Sequence, residues 1–372
     1  MASGFSLKDQ LFNQEKTRYL AGLFAQGVPG FDPDRFQAEV MAGLLPLELK
    51  ARINRIAEIL GRHMPGPLPE VAPLLIKSLP PPLDPKKTDD DFGDFIFAPL
   101  GEFVVARGLA SDPELGLELL AELTQRFSME WAIRPFLNAH PELTLAQMQL
   151  WASHPSYHVR RLVSEGTRPR LPWGQGIKLD MKEPLVLLDQ LHSDPTRYVT
   201  RSVANHLNDI AKKDPDLVLD RLESWRALGE QKDKELSWLT THACRGLVKS
   251  GHPRALRVLG YDPDAEVDVT LRFEKQTVKI DEMLNFYITL SAASPLPVIV
   301  DYRVSFPRAS GKASQKVFKL KQTRLASAPV TLPKRHRMKG DATTFKLHPG
   351  RHEVEILVNG QVAAQGSFEL TA

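Results

Sequence analysis

The sequence predicts an all-α HEAT-like repeat solenoid followed by an all-β immunoglobulin-like sandwich, and three observations carry that expectation. Apolar residues recur at helical spacing through roughly the first 260 of 372 residues. Within that stretch a motif returns at a period of 40. After Asp262-Pro263-Asp264 the texture changes to two-residue alternation broken by turn dipeptides. The expected division is residues 1–262 for the helical domain and 265–372 for the sandwich, in keeping with the length of the chain.

The helices come first. Leu45–Leu60 places Leu49, Ile53, Ile56, Ala57 and Leu60 on one face. Ser111-Asp112-Pro113 supplies a cap and a first-turn proline for a helix over Asp112–Phe127. Leu185–Leu191, Leu217–Trp225 and, more weakly, Trp238–Lys249 continue the pattern. Leu79-Pro80-Pro81-Pro82 and the acidic run Asp89–Asp91 read as a surface loop. The repeat is explicit: His154-Pro155-x-x-x-Val159-x-Arg161-x-Val163 returns as Asp194-Pro195-x-x-x-Val199-x-Arg201-x-Val203. Each copy starts at a turn and enters an amphipathic helix, and paired helices at about 40 residues mark HEAT-type arrays with an extended binding face.

The strands follow. Val267–Phe273, Leu284–Leu290, Val298–Phe306, Lys316–Leu320 and Glu353–Val358 carry strand patterns, and Ser310-Gly311, Pro349-Gly350 and Asn359-Gly360 mark turns. About seven strands in this length suit an immunoglobulin-like sandwich.

Composition narrows the function classes. With 42% hydrophobic residues the chain can bury sizeable cores. Its apolar runs are too short for a membrane span, and its start lacks the basic head and apolar middle of a secretory leader, so a cytoplasmic, nucleoid-associated protein is expected. The single cysteine, Cys244, excludes an internal disulfide and reads as a packed thiol. No phosphate loop, dinucleotide fingerprint or nucleophile elbow occurs, and His154 and His158 lack the rest of a zinc motif. Neither a cofactor nor a metal is expected. The net charge is +3, but from Ala265 onward sixteen Lys/Arg face ten Asp/Glu. Phe306–Arg351 holds twelve basic residues and one acid, Asp341, which is either a polyanion footprint or a solubilising face.

One constellation can carry chemistry. On the helix after Pro155, Val159, Leu162, Val163 and Gly166 fall inward, while at about 100° per residue Arg161, Glu165 and Arg168 fall opposite. The period brings Arg201, Asn205 and Asn208, with Asp209 beside them, to the matching face. Arg160–Arg170 contains four arginines and one acid, Glu165, and ends at prolines before Trp173. Arginines there suit phosphates, and the indole suits a base or a sugar. The residues equally allow a salt-bridged surface face and a loop-anchoring tryptophan.

LFNQEKTRYLA, LELKARINRIAEIL, FSMEWAIRPFL, HVRRLVSEGTRPRLPW, YVTRSVANHLNDIAK and HACRGLVKSGHPRALRVLG together resemble the AlkC branch of the AlkC/AlkD alkylation-repair DNA glycosylases, over residues 5–261. The resemblance implies a helical-repeat enzyme that holds duplex DNA and excises cationic N3-alkylated bases, 3-methyladenine and 3-methylcytosine, without flipping the base into a pocket. It places Glu130, Glu165, Trp173 and Asp209 at the catalytic site. DNA contacts are expected from Arg160, Arg161, Arg168, Arg170, Arg201, Asn205 and Asn208, and from Lys334, Arg335, Arg337 and Lys339 in the sandwich. The expected partner is double-stranded DNA containing alkylated bases, met by a monomer. A non-catalytic scaffold or a damage sensor is the alternative, since repeat arrays and immunoglobulin-like domains commonly serve binding.

Overall fold

The computed structural model describes residues 6–87, 89, 92–307, 313–341 and 346–372. Asp90 and Asp91 of the acidic run and the Ser310-Gly311 turn lie outside the described residues. Sixteen α-helices and eight strands form among them. The helices are α1 Leu7–Leu11, α2 Gln14–Gly27, α3 Pro33–Met41, α4 Leu49–His63, α5 Leu68–Lys77, α6 Ala98–Gly108, α7 Pro113–Thr124, α8 Ile133–Ala139, α9 Pro141–Trp151 and α10 Tyr157–Gly166. Then come α11 Leu185–Leu191, α12 Arg197–Ile210, α13 Pro215–Leu228, α14 Asp233–Ala243, α15 Arg245–Lys249 and α16 Pro253–Val258. No helix among the described residues is long and apolar enough to cross a membrane.

Two compact units emerge. One comprises Met1–Lys213 with Ser224–Ala243, the other Asp214–Glu223 with Cys244–Ala372. In the first, α10 packs on α12 and α12 on α14, so the second helices of successive pairs form a row. The 40-residue period has a physical basis at the pair starts. His154 Nδ1 accepts the Ser156 amide at 3.0 Å, and Asp194 Oδ1 accepts the Thr196 amide at 2.8 Å. Two different side chains thus shape the same turn. Arg160 knits the two together: its Nε and Nη2 donate to the Asp194 carboxylate and its Nη1 to the carbonyls of His154 and Pro155. The expected helix over Leu45–Leu60 begins only at Leu49, and that over Asp112–Phe127 spans Pro113–Thr124. The expected Trp238–Lys249 helix is broken at Cys244 into α14 and α15.

The strands are β1 Asp268–Phe273, β2 Thr277–Lys279, β3 Met283–Ser291, β4 Leu296–Phe306, β5 Ser314–Leu325, β6 Val330–Arg337, β7 Gly350–Val358 and β8 Gln361–Thr371. They form a three-stranded sheet β1-β3-β6 and a five-stranded sheet β2-β8-β7-β4-β5. Phe286, Tyr302, Ile356 and Phe368 are among the side chains buried in their common core. Asn359 and Gly360, at φ 45° and 80°, make the β7–β8 turn in the left-handed conformation that Asn-Gly tolerates.

Candidate active site

The polar face of α10 is not a solvated one. Arg161 is 8% exposed and Glu165 4%. Glu165 Oε1 accepts from Arg168 Nη1 at 2.6 Å, and Oε2 accepts from Ser202 Oγ of α12 at 2.6 Å, with Arg161 Nη2 at 3.6 Å. Arg168 continues to Asp209 Oδ2 at 2.9 Å, and Lys212 closes that end on Oδ1 at 2.9 Å. At the other end Arg161 Nη1 donates to Glu130 Oε2 at 3.0 Å and to Ser128 Oγ at 2.9 Å, and its guanidinium lies 4.5 Å from the centre of the Tyr198 ring. Glu130, Glu165 and Asp209 are therefore joined through two arginines in one chain of charge-assisted bonds. The choice between salt bridges and a polar patch resolves into a buried ion network, in which the loss of one partner is far costlier than at a surface.

Burial opposes the charge of Glu165, but Arg161 and Arg168, with hydrogen bonds from Ser202 and Arg168, outweigh it and hold the carboxyl below its ordinary range. Beneath the network, His206 gives its Nδ1 hydrogen to the Ser164 carbonyl, and burial pushes its imidazole down to about 4. Both shifts have the same consequence. The unfolded chain takes up protons that the fold refuses, so stability is full above the unfolded values and falls with acid. For His206 the loss starts below its ordinary 6.5 and approaches roughly 3 kcal/mol near pH 4, and Glu165 adds to it below the usual carboxylate range. The melting temperature should drop between pH 7 and pH 4.5, and His206→Asn should flatten that slope. Parallel slopes in the two proteins would assign the acid sensitivity elsewhere.

Trp173 stands at the rim of a different neighbourhood. It is 61% exposed and held at φ 61°, a conformation costly for a bulky residue. Its ring meets Trp131, the residue after Glu130, edge to face at 6.1 Å. The two indoles line a cavity of about 530 Å³ with Leu49, Ile53, Lys8 and Lys50.

The remaining expected residues scatter. Arg170 is exposed. Arg160 is held by Asp194 and two carbonyls, as described above. Arg201 pairs with Asp89, Asn205 Oδ1 meets His242 Nε2 at 2.9 Å, and Asn208 is buried at 6% exposure. In the sandwich, β6 alternates: Arg335 and Arg337 are exposed, whereas Lys334 faces the other way, 5.4 Å from the Tyr302 ring centre. Lys339 lies beyond the strand, exposed and 3.6 Å from Asp341. Sequence reasoning did not single out Ser202, Tyr198, Trp131 or Arg134. Ser202 carried no such signal, since the period matches it to Leu162 on the inward face.

Known proteins bear on this geometry. AlkC of Pseudomonas fluorescens, an alkylpurine DNA glycosylase whose structure was solved bound to DNA containing an abasic site analog, is 34% identical and superimposes with a TM-score of 0.87, covering 99% of this chain and 100% of that one. The chain belongs to the AlkC family. Another relative is the uncharacterized protein YhaZ of Bacillus subtilis (strain 168), 31% identical over 366 residues, or 97% of this chain and 98% of YhaZ. A family model described as the C-terminal Ig-like domain of YhaZ matches residues 268–372 of this AlkC-family chain, the segment that holds all eight strands.

Proposed function

We propose that this protein is a monofunctional DNA glycosylase that hydrolyses the N-glycosidic bond of cationic N3-alkylated bases, 3-methyladenine and 3-methylcytosine, in duplex DNA without flipping the base. The observation that carries the reading is the ionised Glu165, locked with Glu130 and Asp209 into one network in a chain 34% identical to an alkylpurine DNA glycosylase.

N3-alkylation gives the base a positive charge. When the bond from C1′ to the base breaks, its electron pair neutralises the leaving base, and positive charge grows on the sugar as an oxocarbenium-like state. The site needs preorganised negative charge and a water, not an acid. Glu130 has the more exposed carboxylate, at 20% of its side chain, and its Oε1 accepts no hydrogen bond among the described residues. It is placed to hold the water that adds to C1′ and to take its proton. Glu165 and Asp209 are buried and act through their charge, fixed by Arg161 and Arg168. Trp173 meets the deoxyribose or the cationic lesion, where a cation–π contact is worth about 0.5–2 kcal/mol. Arg170 is exposed and makes no ion pair among the described residues, which leaves it for phosphate. No amine nucleophile is needed, so the product is an abasic site.

The sandwich contributes grip. Arg335→Gln and Arg337→Gln should each weaken duplex binding uniformly across sequences and reduce the slope of log K against log salt by about 1. Lys334→Gln should do so less, because Lys334 faces Tyr302. Equal effects of all three would place the contact elsewhere. The function itself is tested with duplex DNA treated with a methylating agent, scoring binding and base release together. A scaffold gives neither, a damage sensor gives binding alone, and the proposed enzyme gives both.

A further inference from the structure

The loop that follows α10 is tied along its length by one face of the segment that enters α8. Trp131 Nε1 donates to the Pro172 carbonyl at 3.2 Å. Arg134 Nη1 donates to the carbonyls of Gly166 and Arg168, each at 2.9 Å, and its Nε to that of Gln175. Asn138 donates to the Gly176 carbonyl at 3.0 Å and accepts the Lys178 amide at 2.9 Å. The spacings 131, 134, 138 are those of one helical face, and the partners lie 32 to 41 residues further along the chain. Arg134 is the centre of this ladder. It is 1% exposed, makes no ion pair among the described residues, and spends its charge on main-chain carbonyls, including one that the end of α10 leaves unsatisfied. The approach is close. A Cβ on Gly166, the last residue of α10, would sit 2.5 Å from Ile133 Cγ2 at the start of α8, so any other residue there would force one of the two to shift.

A buried, fixed cation that holds the end of α10 and two carbonyls of the loop after it is more than a surface connection needs. What the loop carries is Arg168, which bridges Glu165 and Asp209, and Trp173 in its strained conformation. We propose that Trp131, Arg134 and Asn138 form a clamp that positions Trp173 for the bond-breaking step rather than for DNA binding. The proposal rests on the reading of Trp173 as the residue that meets the sugar or the lesion. Arg134 and Asn138 touch no substrate and act through the loop.

The test uses the full chain with Arg134→Lys, Asn138→Ala and, as reference, Trp173→Ala. It reads single-turnover base release, duplex affinity, thermal stability and amide exchange of residues 167–178. Arg134→Lys and Asn138→Ala should slow release about tenfold through misplacement alone, leave affinity within about twofold, and speed exchange in the loop. Arg134→Lys keeps the charge but not the forked donors, so a purely electrostatic role would leave it at the wild-type rate. Clamp variants at the wild-type rate beside a slow Trp173→Ala overturn the clamp. Full rates in all three overturn the reading of Trp173 instead, and loop exchange then judges the clamp: exchange as slow as in wild type refutes it. A fall in melting temperature with unchanged release per folded molecule also refutes it.

Discussion

Glu165→Gln should lower the single-turnover rate of base release by about 10²–10³-fold, the loss expected when one preorganised charge facing a developing transition-state charge is removed. The substitution keeps the side chain's shape and an oxygen for Ser202, but it strips one negative charge from between Arg161 and Arg168. The charge facing the sugar then changes by a full unit at a buried position, where charges act more strongly than in bulk solvent. Stability should fall by less than the roughly 3–5 kcal/mol typical of emptying one side of a buried ion pair, because an amide still accepts one of the hydrogen bonds. Duplex affinity should change little, since Glu165 is 4% exposed and reaches no phosphate. Release at the wild-type rate would remove Glu165 from the mechanism.

Trp173→Ala should be the second largest, lowering release by about 10–100-fold, which corresponds to the roughly 1–3 kcal/mol of an aromatic contact with a base or a sugar. The same variant separates the two roles its sequence context allows. An anchor that packs a loop loses stability when truncated. A ring that is 61% exposed and meets Trp131 edge to face has little packing to lose, and alanine at φ 61° is no more strained than tryptophan. The expected pattern is a strong loss of rate with a melting temperature within a few degrees of wild type. The opposite pattern makes Trp173 an anchor. Trp173→Phe should recover part of the rate.

Much of the fold was legible because its signals are local. Leu185–Leu191 is a helix with those bounds, and the 40-residue motif marks the starts of α10 and α12. What escaped has physical reasons. β6 carries Pro333 and four basic or imidazole side chains, and β8 contains Gly366 among polar residues, so neither shows an apolar–polar alternation in its sequence, although β6 alternates in burial. The break at Cys244 has no proline to announce it, and the nearest glycine, Gly246, lies inside α15. In the site, Glu165, Arg168 and Trp173 were found together because they share one motif. The burial of that face was hidden, because periodicity assigns polar residues to water. Here Glu130, Glu165 and Asp209 satisfy Arg161, Arg168 and Lys212 internally, a balance set by three segments distant in sequence. A linear count of lysines and arginines likewise could not see that Lys334 faces away from Arg335 and Arg337.

The proposed function requires this arrangement of carboxylates to break a glycosidic bond. The most direct measurement incubates the wild-type chain with N3-methylated duplex DNA, follows the free base by chromatography, and examines the strand before and after alkali. The expected result is release of 3-methyladenine and a strand that breaks only after alkali, the signature of an abasic site left by a monofunctional enzyme. Tight binding to the duplex with every methylated base still attached would contradict it.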